Sequence, residues 1–250
     1  MTKYSLQNKS VVITGGSAGI GRATALLAAH SGARVTVADI DGDAGKVVVE
    51  EIIDAGGAAQ FVETDITKED SVEHLIAEAI NAYGRVDAAF NNAAVSGKGG
   101  YLHEWSSEEY DQHIAVTLTG NFYCLKHEVR HMIEAGGGAI VMTTAGGAFR
   151  MVPQIGVYAV AKGGINNLVK QAAFDYGKYG IRVNAISPGV TRTAMLGGQP
   201  GQDTDNLAAI QPLGRMGEPH EIAEGAAWLL GDNSSFATGA FLDVDGGLSL

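Results

Sequence analysis

A tyrosine and a lysine stand four residues apart in a segment with helical periodicity. Tyr158 and Lys162 flank residues 159–161, so both side chains are expected on one face of a helix. A cation beside a phenol favours the phenolate, and we expect Lys162 to lower the pKa of Tyr158 and make it a usable general acid and base. Such a pair is also common on amphipathic helices with only a structural role, so its meaning depends on other motifs.

A glycine-rich turn stands directly between the first predicted strand and the first predicted helix. Glycines there let the backbone approach a pyrophosphate, whose charge is stabilised by unpaired N–H groups at a helix N-terminus. A glycine-rich turn without a ligand is the alternative, but the strand before the turn and the helix after it favour a dinucleotide. The turn comprises Thr14, Gly15, Gly16, Ser17, Ala18, Gly19, Ile20 and Gly21.

An acidic residue ends the second predicted strand. Asp39 stands 18 residues beyond Gly21, where a carboxylate accepts hydrogen bonds from an adenosine ribose and repels a 2′-phosphate. Neither Ser17 nor Ile40, next to this position, is an Arg or Lys that would offset the repulsion. The sequence therefore predicts NAD rather than NADP.

Short apolar runs rich in β-branched residues alternate with segments of helical periodicity. This alternation predicts one domain with a Rossmann-type, doubly wound α/β fold, in which helices cover both faces of a parallel sheet of about seven strands. Two helices start near candidate capping residues, Thr67 and Ser106. The predicted strands are 10–14, 33–39, 58–64, 86–90, 138–144, 181–187 and 240–245, and the predicted helices are 20–31, 68–82, 106–134, 157–179 and 218–230.

One long stretch, 188–216, has little periodicity. In an open α/β sheet such a loop, placed after a strand's carboxyl end, lies where ligands bind, so we expect it to be the substrate loop of a single domain that spans residues 1–250.

Composition excludes several classes of protein. The formal net charge of −11 disfavours nucleic acid and anionic membrane surfaces as partners, because both require a basic footprint. The single Cys124 cannot form an intrachain disulfide, and no apolar run reaches the length of a membrane span. We therefore expect a cytoplasmic protein whose partner is a small molecule.

Taken together, the motifs resemble those of the short-chain dehydrogenase/reductase family, from about Lys9 to Gly247. The resemblance implies strand order 3-2-1-4-5-6-7, a homotetramer, and reversible hydride transfer between NAD and a secondary alcohol or ketone. Besides the glycine turn and Tyr158 with Lys162, it rests on Asp65 after the third strand, Asn91-Asn92-Ala93-Ala94 after the fourth, and Ser187-Pro188-Gly189 followed by Thr193. Ala94 stands where the family usually has Gly.

The resemblance also assigns roles to residues. It implies that Asp65 lies near the adenine, Asn91 near the adenosine ribose and Lys162 on the nicotinamide ribose, while the segment from Pro188 to Thr193 holds the carboxamide. The full set expected to bind the cofactor is Gly15, Ser17, Gly19, Ile20, Gly21, Asp39, Asp65, Ile66, Asn91, Ala93, Tyr158, Lys162, Pro188, Gly189, Thr191 and Thr193.

Two positions of the family's catalytic tetrad differ in this chain. Ala145 replaces the active-site Ser, and Thr117 replaces the helix Asn. Thr117 offers no amide for a relay water, although its hydroxyl can bond a helical carbonyl. Thr144 supplies the missing hydroxyl only if the strand end bulges, because adjacent side chains of a strand face opposite ways. A second hypothesis is therefore a cofactor-binding protein of the same fold with weak or no catalysis.

The segment HEVRH at 127–131 matches the HExxH pattern of zinc peptidases. Two His at i and i+4 can bind zinc with the Glu as general base, but a third ligand is needed. Glu134 stands where the extended pattern has Gly. We expect a solvated polar helix face here and no metal.

Overall fold

A computed structural model describes residue 4 and residues 6–96, 99–146, 154–197 and 209–250. The strands are β1 (Ser10–Thr14), β2 (Arg34–Asp39), β3 (Ala58–Glu63), β4 (Ala88–Asn91), β5 (Gly138–Thr143), β6 (Ile181–Pro188) and β7 (Phe241–Val244). The α-helices are α1 (Gly19–His30), α2 (Gly42–Asp54), α3 (Glu69–Tyr83), α4 (Ser107–Ile114), α5 (Asn121–Ala135), α6 (Gly156–Tyr176), α7 (Ala194–Gly197) and α8 (Pro219–Leu230).

All seven strands form one parallel sheet in the order β3-β2-β1-β4-β5-β6-β7. The predicted fold class and strand order are confirmed. The order reverses direction between β1 and β4, where Thr14 pairs with Ala38 on one side and with Asn91 on the other. The carboxyl ends of the central strands therefore meet at a switch point, which is where such sheets bind ligands.

Alternate residues of the strands pack into separate cores on the two faces of the sheet. Val11 and Ile13 of β1 belong to the core formed with α1 and α8, whereas Val12 belongs to the core formed with α3, α5 and α6. Because both faces are covered, the central strands are apolar throughout, and this is the pattern that predicted them.

The helices differ from the predictions in four places, one of which is the short helix α7, which has no predicted counterpart. Helix α2 has no predicted counterpart, and α3 begins after Lys68 rather than at a Thr67 cap, because the Thr67 hydroxyl is bonded to Asp65. The predicted helix 106–134 consists of α4, a π-helical segment at Ala115–Gly120, and α5. Ser106 does cap α4, since its hydroxyl accepts a hydrogen bond from the Glu109 N–H at 3.2 Å. No helix in the described part of the chain has the length and hydropathy of a membrane span.

Candidate active site

A cavity of about 720 Å³ opens along the carboxyl ends of the strands. Most of the residues predicted to bind a cofactor or to act in catalysis line it together. They are Gly15, Ser17, Gly19, Ile20, Asp39, Asp65, Ile66, Ala93, Thr144, Ala145, Tyr158, Lys162, Pro188, Gly189, Thr191 and Thr193. Gly21, Asn91 and Thr117 are predicted site residues that do not line the cavity.

The glycine turn forms the floor at the end of β1. Gly15 has φ +64° and Gly19 has φ +51°, in the left-handed region that favours glycine. A Cβ on Gly15 would lie 3.0 Å from the Ala93 Cα, so backbone crowding also favours glycine there. Gly21 has a different role: its Cβ would lie 2.0 Å from the Gly15 carbonyl oxygen, so it allows α1 to pack closely on the turn.

A carboxylate is fixed at the end of β2. The Asp39 Oδ2 accepts hydrogen bonds from the Ser17 N–H at 3.0 Å and from the Ser17 hydroxyl at 2.5 Å. Its Oδ1 accepts one from the Asp41 N–H at 3.2 Å. These bonds hold the carboxylate beside the glycine turn, where a ribose bound in the cavity would meet it.

A second carboxylate lies beyond the end of β3. The Asp65 Oδ1 accepts hydrogen bonds from the Thr67 N–H at 3.0 Å and from the Thr67 hydroxyl at 2.6 Å. These bonds, led by that of the hydroxyl, lower the pKa of Asp65 below its ordinary value. Asp65 is therefore a fixed, ionised group at the expected adenine end of the cavity.

The asparagine that ends β4 faces away from the cavity. Asn91 is buried, and its Nδ2 donates to the Glu128 Oε2 at 2.8 Å. The second, Asn92, bonds to the glycine turn instead, with its Nδ2 3.3 Å from the Gly15 carbonyl oxygen and its N–H donating to the Thr14 hydroxyl at 3.1 Å. The side chain of Asn91 thus secures α5 to β4, and only neighbouring residues of this turn reach the cavity.

Tyr158 and Lys162 lie in the first turns of α6. The Lys162 Nζ donates to the Thr143 carbonyl oxygen at 2.7 Å and lies 5.8 Å from the centroid of the Tyr158 ring. Burial raises the pKa of Tyr158 to about 12 and lowers that of Lys162 to about 7. The prediction that Lys162 lowers the pKa of Tyr158 is therefore wrong for the protein without a bound cofactor. The burial that disfavours the phenolate of Tyr158 also disfavours the ammonium form of Lys162.

The position of the missing serine is occupied by Ala145, which lines the cavity. Thr144 beside it is buried, its N–H donates to the Ile186 carbonyl oxygen at 2.8 Å, and its hydroxyl has no hydrogen-bond partner among the described residues. Thr144 continues the alternation of Ile140 and Met142, which pack on the face that α6 covers. A hydroxyl with free hydrogen-bonding capacity thus stands next to Ala145.

The position of the missing asparagine lies in the π-helical segment. Thr117 is fully buried, and its hydroxyl accepts a hydrogen bond from the Val95 N–H at 3.4 Å rather than bonding a helical carbonyl. An amide comes from Asn121 instead, whose Nδ2 donates to the carbonyl oxygens of Thr117 and Ala93, both at 3.0 Å. Sequence reasoning missed Asn121 because no motif marks it; the signal available was an asparagine directly after the Gly120 of the motif.

The HEVRH segment is not the solvated helix face that we expected, and this prediction is wrong. Glu128 and His127 are buried in α5. The His127 Nε2 lies 3.1 Å from a Glu69 carboxylate oxygen, and the His131 Nε2 accepts a hydrogen bond from the Val86 N–H at 3.0 Å. Each of these side chains thus has a partner within the protein, and the described residues contain no cluster of three metal-ligating side chains.

Comparisons with known proteins agree with this geometry. A family model described as enoyl-(acyl carrier protein) reductase matches residues 15–249. The chain is 45% identical over 250 residues, 98% of either chain, to a 2,5-dichloro-2,5-cyclohexadiene-1,4-diol dehydrogenase of Sphingobium indicum. It is 36% identical over 239 residues, 96% of this chain and 94% of the relative, to a cyclohexanol dehydrogenase of an Acinetobacter species.

A solved structure shows the same architecture. The 3-ketoacyl-(acyl-carrier-protein) reductase from Brucella melitensis, complexed with NADH, superposes with a TM-score of 0.93 at 32% identity, over 98% of this chain and 100% of that one. The chain belongs to the short-chain dehydrogenase/reductase family. It is an oxidoreductase that binds a nicotinamide cofactor and transfers hydride to or from a secondary alcohol or ketone. These relatives do not favour the alternative hypothesis, a cofactor-binding protein of the same fold with weak or no catalysis.

Proposed function

We propose that this protein is an NAD-dependent dehydrogenase of secondary alcohols on six-membered carbon rings, with Tyr158 as the proton acceptor and donor. The observation that carries the proposal is the single cavity in which the carboxylate of Asp39 and the side chains of Tyr158 and Lys162 lie together. The cavity lies at the switch point of the sheet, where both a dinucleotide and a small substrate can be held.

Asp39 supports NAD over NADP. Its carboxylate is held by hydrogen bonds from Ser17. The two neighbouring positions carry Ser17 and Ile40, and neither is a basic residue that could bind a 2′-phosphate. Arg22, in the first turn of α1, is paired with Glu51. A phosphorylated ribose would therefore meet a carboxylate without compensation, whereas ribose hydroxyls would donate hydrogen bonds to it.

The remaining roles follow from where each side chain lies. When bound, the nicotinamide cofactor supplies the hydride acceptor or donor. Tyr158 takes the hydroxyl proton as an alcohol becomes a ketone, and returns one in the reverse direction. Lys162 is fixed by the Thr143 carbonyl and faces the same cavity, so it can bond a ribose hydroxyl and stabilise a negative phenolate. The backbone from Pro188 to Thr193 closes the other side.

The substrate class comes from the relatives and from the chemistry of the cavity. The two relatives named above act, by their names, on a chlorinated cyclohexadienediol and on cyclohexanol. The substrate end here includes apolar side chains from several elements, which suit an uncharged ring. They are Val95, Val116, Ile155, Met195, Leu196, Ile210 and Leu248. Residues of the predicted substrate loop, 188–216, are among them, whereas residues 198–208 lie outside the described part of the chain.

The proposal is tested with purified protein, a panel of cyclohexanols and cyclohexanediols, and either NAD or NADP. We expect turnover with NAD and a preference for NADH over NADPH of at least roughly tenfold in Kd, which is about 1.4 kcal/mol. Asp39→Ala should narrow that preference, while Asp43→Ala, an exposed acid in the next helix, should leave it unchanged. Equal affinity for both cofactors would refute the assignment of Asp39, and turnover of acyclic alcohols alone would refute the ring substrate.

We also propose that the protein is a cytoplasmic homotetramer. Its one cysteine is buried and unpaired, in keeping with a reducing compartment. Large apolar side chains are exposed on α5 and α6 and near the carboxyl terminus, which supports contacts between copies of the chain. They include Phe122, Val160, Phe174, Trp228, Phe236 and Leu250.

A further inference from the structure

A buried histidine packs beside the proposed catalytic tyrosine, and the proposed hydride transfer assigns it no role. His113 lies in α4, and its residue surface is only 2% exposed. Neither of its ring nitrogens has a hydrogen-bond partner among the residues that the structure describes. Because a buried polar atom without a partner is destabilising, two such atoms in one ring indicate a function other than packing.

Two aromatic rings fix the position of this imidazole. The His113 ring meets the Tyr158 ring edge to face, with centroids 6.0 Å apart at 70°, and meets the Trp105 ring in the same way, at 5.8 Å and 82°. The start of α4 is itself held by the capping box of Ser106 and Glu109. The imidazole is therefore held against the side of the catalytic phenol, outside the lining of the cavity.

The surroundings keep the imidazole neutral. Burial, and then the charge of Lys162, lower the pKa of His113 below its ordinary value. The titratable groups that contact this ring or shift its pKa are Tyr158 and Lys162, both from α6. A neutral imidazole has one N–H donor and one acceptor nitrogen, so it can take a proton at one nitrogen and release another from the other.

The neighbouring polar groups are already engaged. The Thr117 hydroxyl accepts from the Val95 N–H, and the Asn121 amide donates to the carbonyl oxygens of Ala93 and Thr117. The Thr117 hydroxyl oxygen and the Asn121 Nδ2 are therefore both engaged, and neither stands free for a relay at the position of the missing asparagine. His113, one turn before Thr117, retains both of its hydrogen-bonding nitrogens.

We propose that His113 is a positioning residue that relays protons to and from Tyr158 through a bridging water, in place of the amide that Thr117 lacks. The proposal rests on the proposed role of Tyr158. During alcohol oxidation, the O–H bond of protonated Tyr158 breaks as the water accepts the proton, and the water gives one of its own to the acceptor nitrogen of His113. The other ring nitrogen then releases its proton to solvent water, so that the imidazole returns to its neutral form. Reduction reverses these transfers, and no group changes oxidation state in the relay.

The test compares His113→Phe with the wild type on a substrate that the wild type turns over. Phenylalanine keeps the aromatic packing and removes both nitrogens. We expect kcat to fall at least roughly tenfold and its solvent deuterium isotope effect to rise, while the substrate KM and the Kd for NADH change by less than roughly twofold. Adding Thr117→Asn to His113→Phe should restore part of kcat. His74→Phe, an exposed site on α3, is the matched control and should change nothing.

A second measurement uses the protein without cofactor. Nitrogen NMR of selectively labelled histidine, assigned by the His113→Phe spectrum, should show a neutral ring with a hydrogen-bonded nitrogen. An unchanged kcat and an unchanged isotope effect in His113→Phe would overturn the proposal. A loss of NADH binding together with the loss of kcat would overturn it as well, because it would show that His113 serves only to pack the site. Two nitrogens free of hydrogen bonds would overturn it too. If the wild type turns over no substrate, the proposed function fails first, and the NMR result still decides whether His113 has the required partner.

Discussion

At the scale of single residues, the proposed chemistry concentrates on the phenol of Tyr158. Replacing Tyr158 with Phe should abolish dehydrogenase activity, to below roughly a hundredth of wild-type kcat, because the phenol is the only assigned group that exchanges a proton with the substrate. The Kd for NADH should stay nearly unchanged. Stopped-flow kinetics and fluorescence titration measure the two quantities.

Lys162→Ala provides the matched comparison, because it should lose activity and cofactor affinity together: its ammonium group is expected to hold both the phenolate and the ribose. A Tyr158→Phe variant with full turnover would contradict the assigned mechanism. A Lys162→Ala variant with unchanged NADH affinity would place Lys162 outside the cofactor site.

In the proposed mechanism, Ala145 leaves the substrate carbonyl without a hydroxyl donor at the family's usual position. Removing one donor from a comparable oxyanion site costs roughly 10²–10³ in rate, so we expect this chain to be slow but active. Ala145→Ser should raise kcat by roughly ten- to a thousandfold with little change in cofactor affinity.

The unpartnered hydroxyl of Thr144 gives the same experiment a second arm. If Thr144 supplies the missing donor, Thr144→Val will abolish activity and Ala145→Ser will change it little. If it does not, Thr144→Val will be nearly neutral. The kcat values of the two variants, measured side by side, decide which hydroxyl position serves this site.

At the scale of elements, the sequence predicted what hydrophobic periodicity determines. The seven strands follow from apolar runs that both faces of the sheet require, whereas their order was implied by the resemblance to the family. Helix α2 has a periodic apolar face with Val48 and Ile52 buried, but Gly42, Gly45 and a run of three valines lower its helix propensity, and it was not predicted. The structure explains one of these glycines: a Cβ on Gly45 would lie 2.0 Å from the Phe61 ring, so close packing of α2 on β3 requires it.

The candidate site was predictable where a motif fixes a residue to a strand end. The glycine turn and Asp39 are of this kind, Tyr158 and Lys162 belong to a motif at the start of α6, and the structure brings them to one cavity. His113 and Asn121 were not, because their roles depend on the π-helical segment and on which face of α4 meets α6. Periodicity places residues on helix faces but does not reveal an extra residue in a turn.

Helix α5 contains a buried acid whose protonation should affect stability. Burial raises the pKa of Glu128 to about 8, against the weaker opposing effect of its hydrogen bond from Asn91. The folded protein therefore keeps a proton on Glu128 between pH 4.5, the ordinary pKa of a glutamate, and about 8, whereas the unfolded chain releases it. Over that window this group makes the free energy of unfolding fall as pH rises.

Glu128→Gln should remove that pH dependence and stabilise the protein at pH 8 by roughly a few kcal/mol, because the amide stays neutral while filling the same space. Urea denaturation from pH 5 to pH 8 measures the effect. Glu134→Gln, at an exposed position of the same helix, is the control and should leave the slope as it is. The prediction would be contradicted if the free energy of unfolding of the wild type rose from pH 5 to pH 8 and that of Glu128→Gln followed the same curve.

At the scale of the whole molecule, two sets of exposed apolar side chains are candidates for contacts between copies of the chain. Phe122 lies on α5, and Val160 and Phe174 lie on the neighbouring helix α6. The side chain of Phe174 is 87% exposed. Phe236 and Leu250 lie near the end of the chain. Two separate apolar surfaces suit a tetramer with dihedral symmetry, because each can bury itself against its own copy about a different two-fold axis.

This arrangement predicts a native mass four times the 25.9 kDa of the chain. Phe174→Asp should reduce it to that of a dimer or a single chain, because a charge without a partner in an apolar interface disfavours association. Sedimentation velocity measures the mass, and circular dichroism checks that the variant is folded. Ile53→Asp, at an exposed apolar position of α2 on the opposite layer, is the control and should leave the mass unchanged. A wild type that sediments as one chain at micromolar concentration, or a Phe174→Asp variant that stays tetrameric, would show that the surface around Phe174 is not an interface between copies.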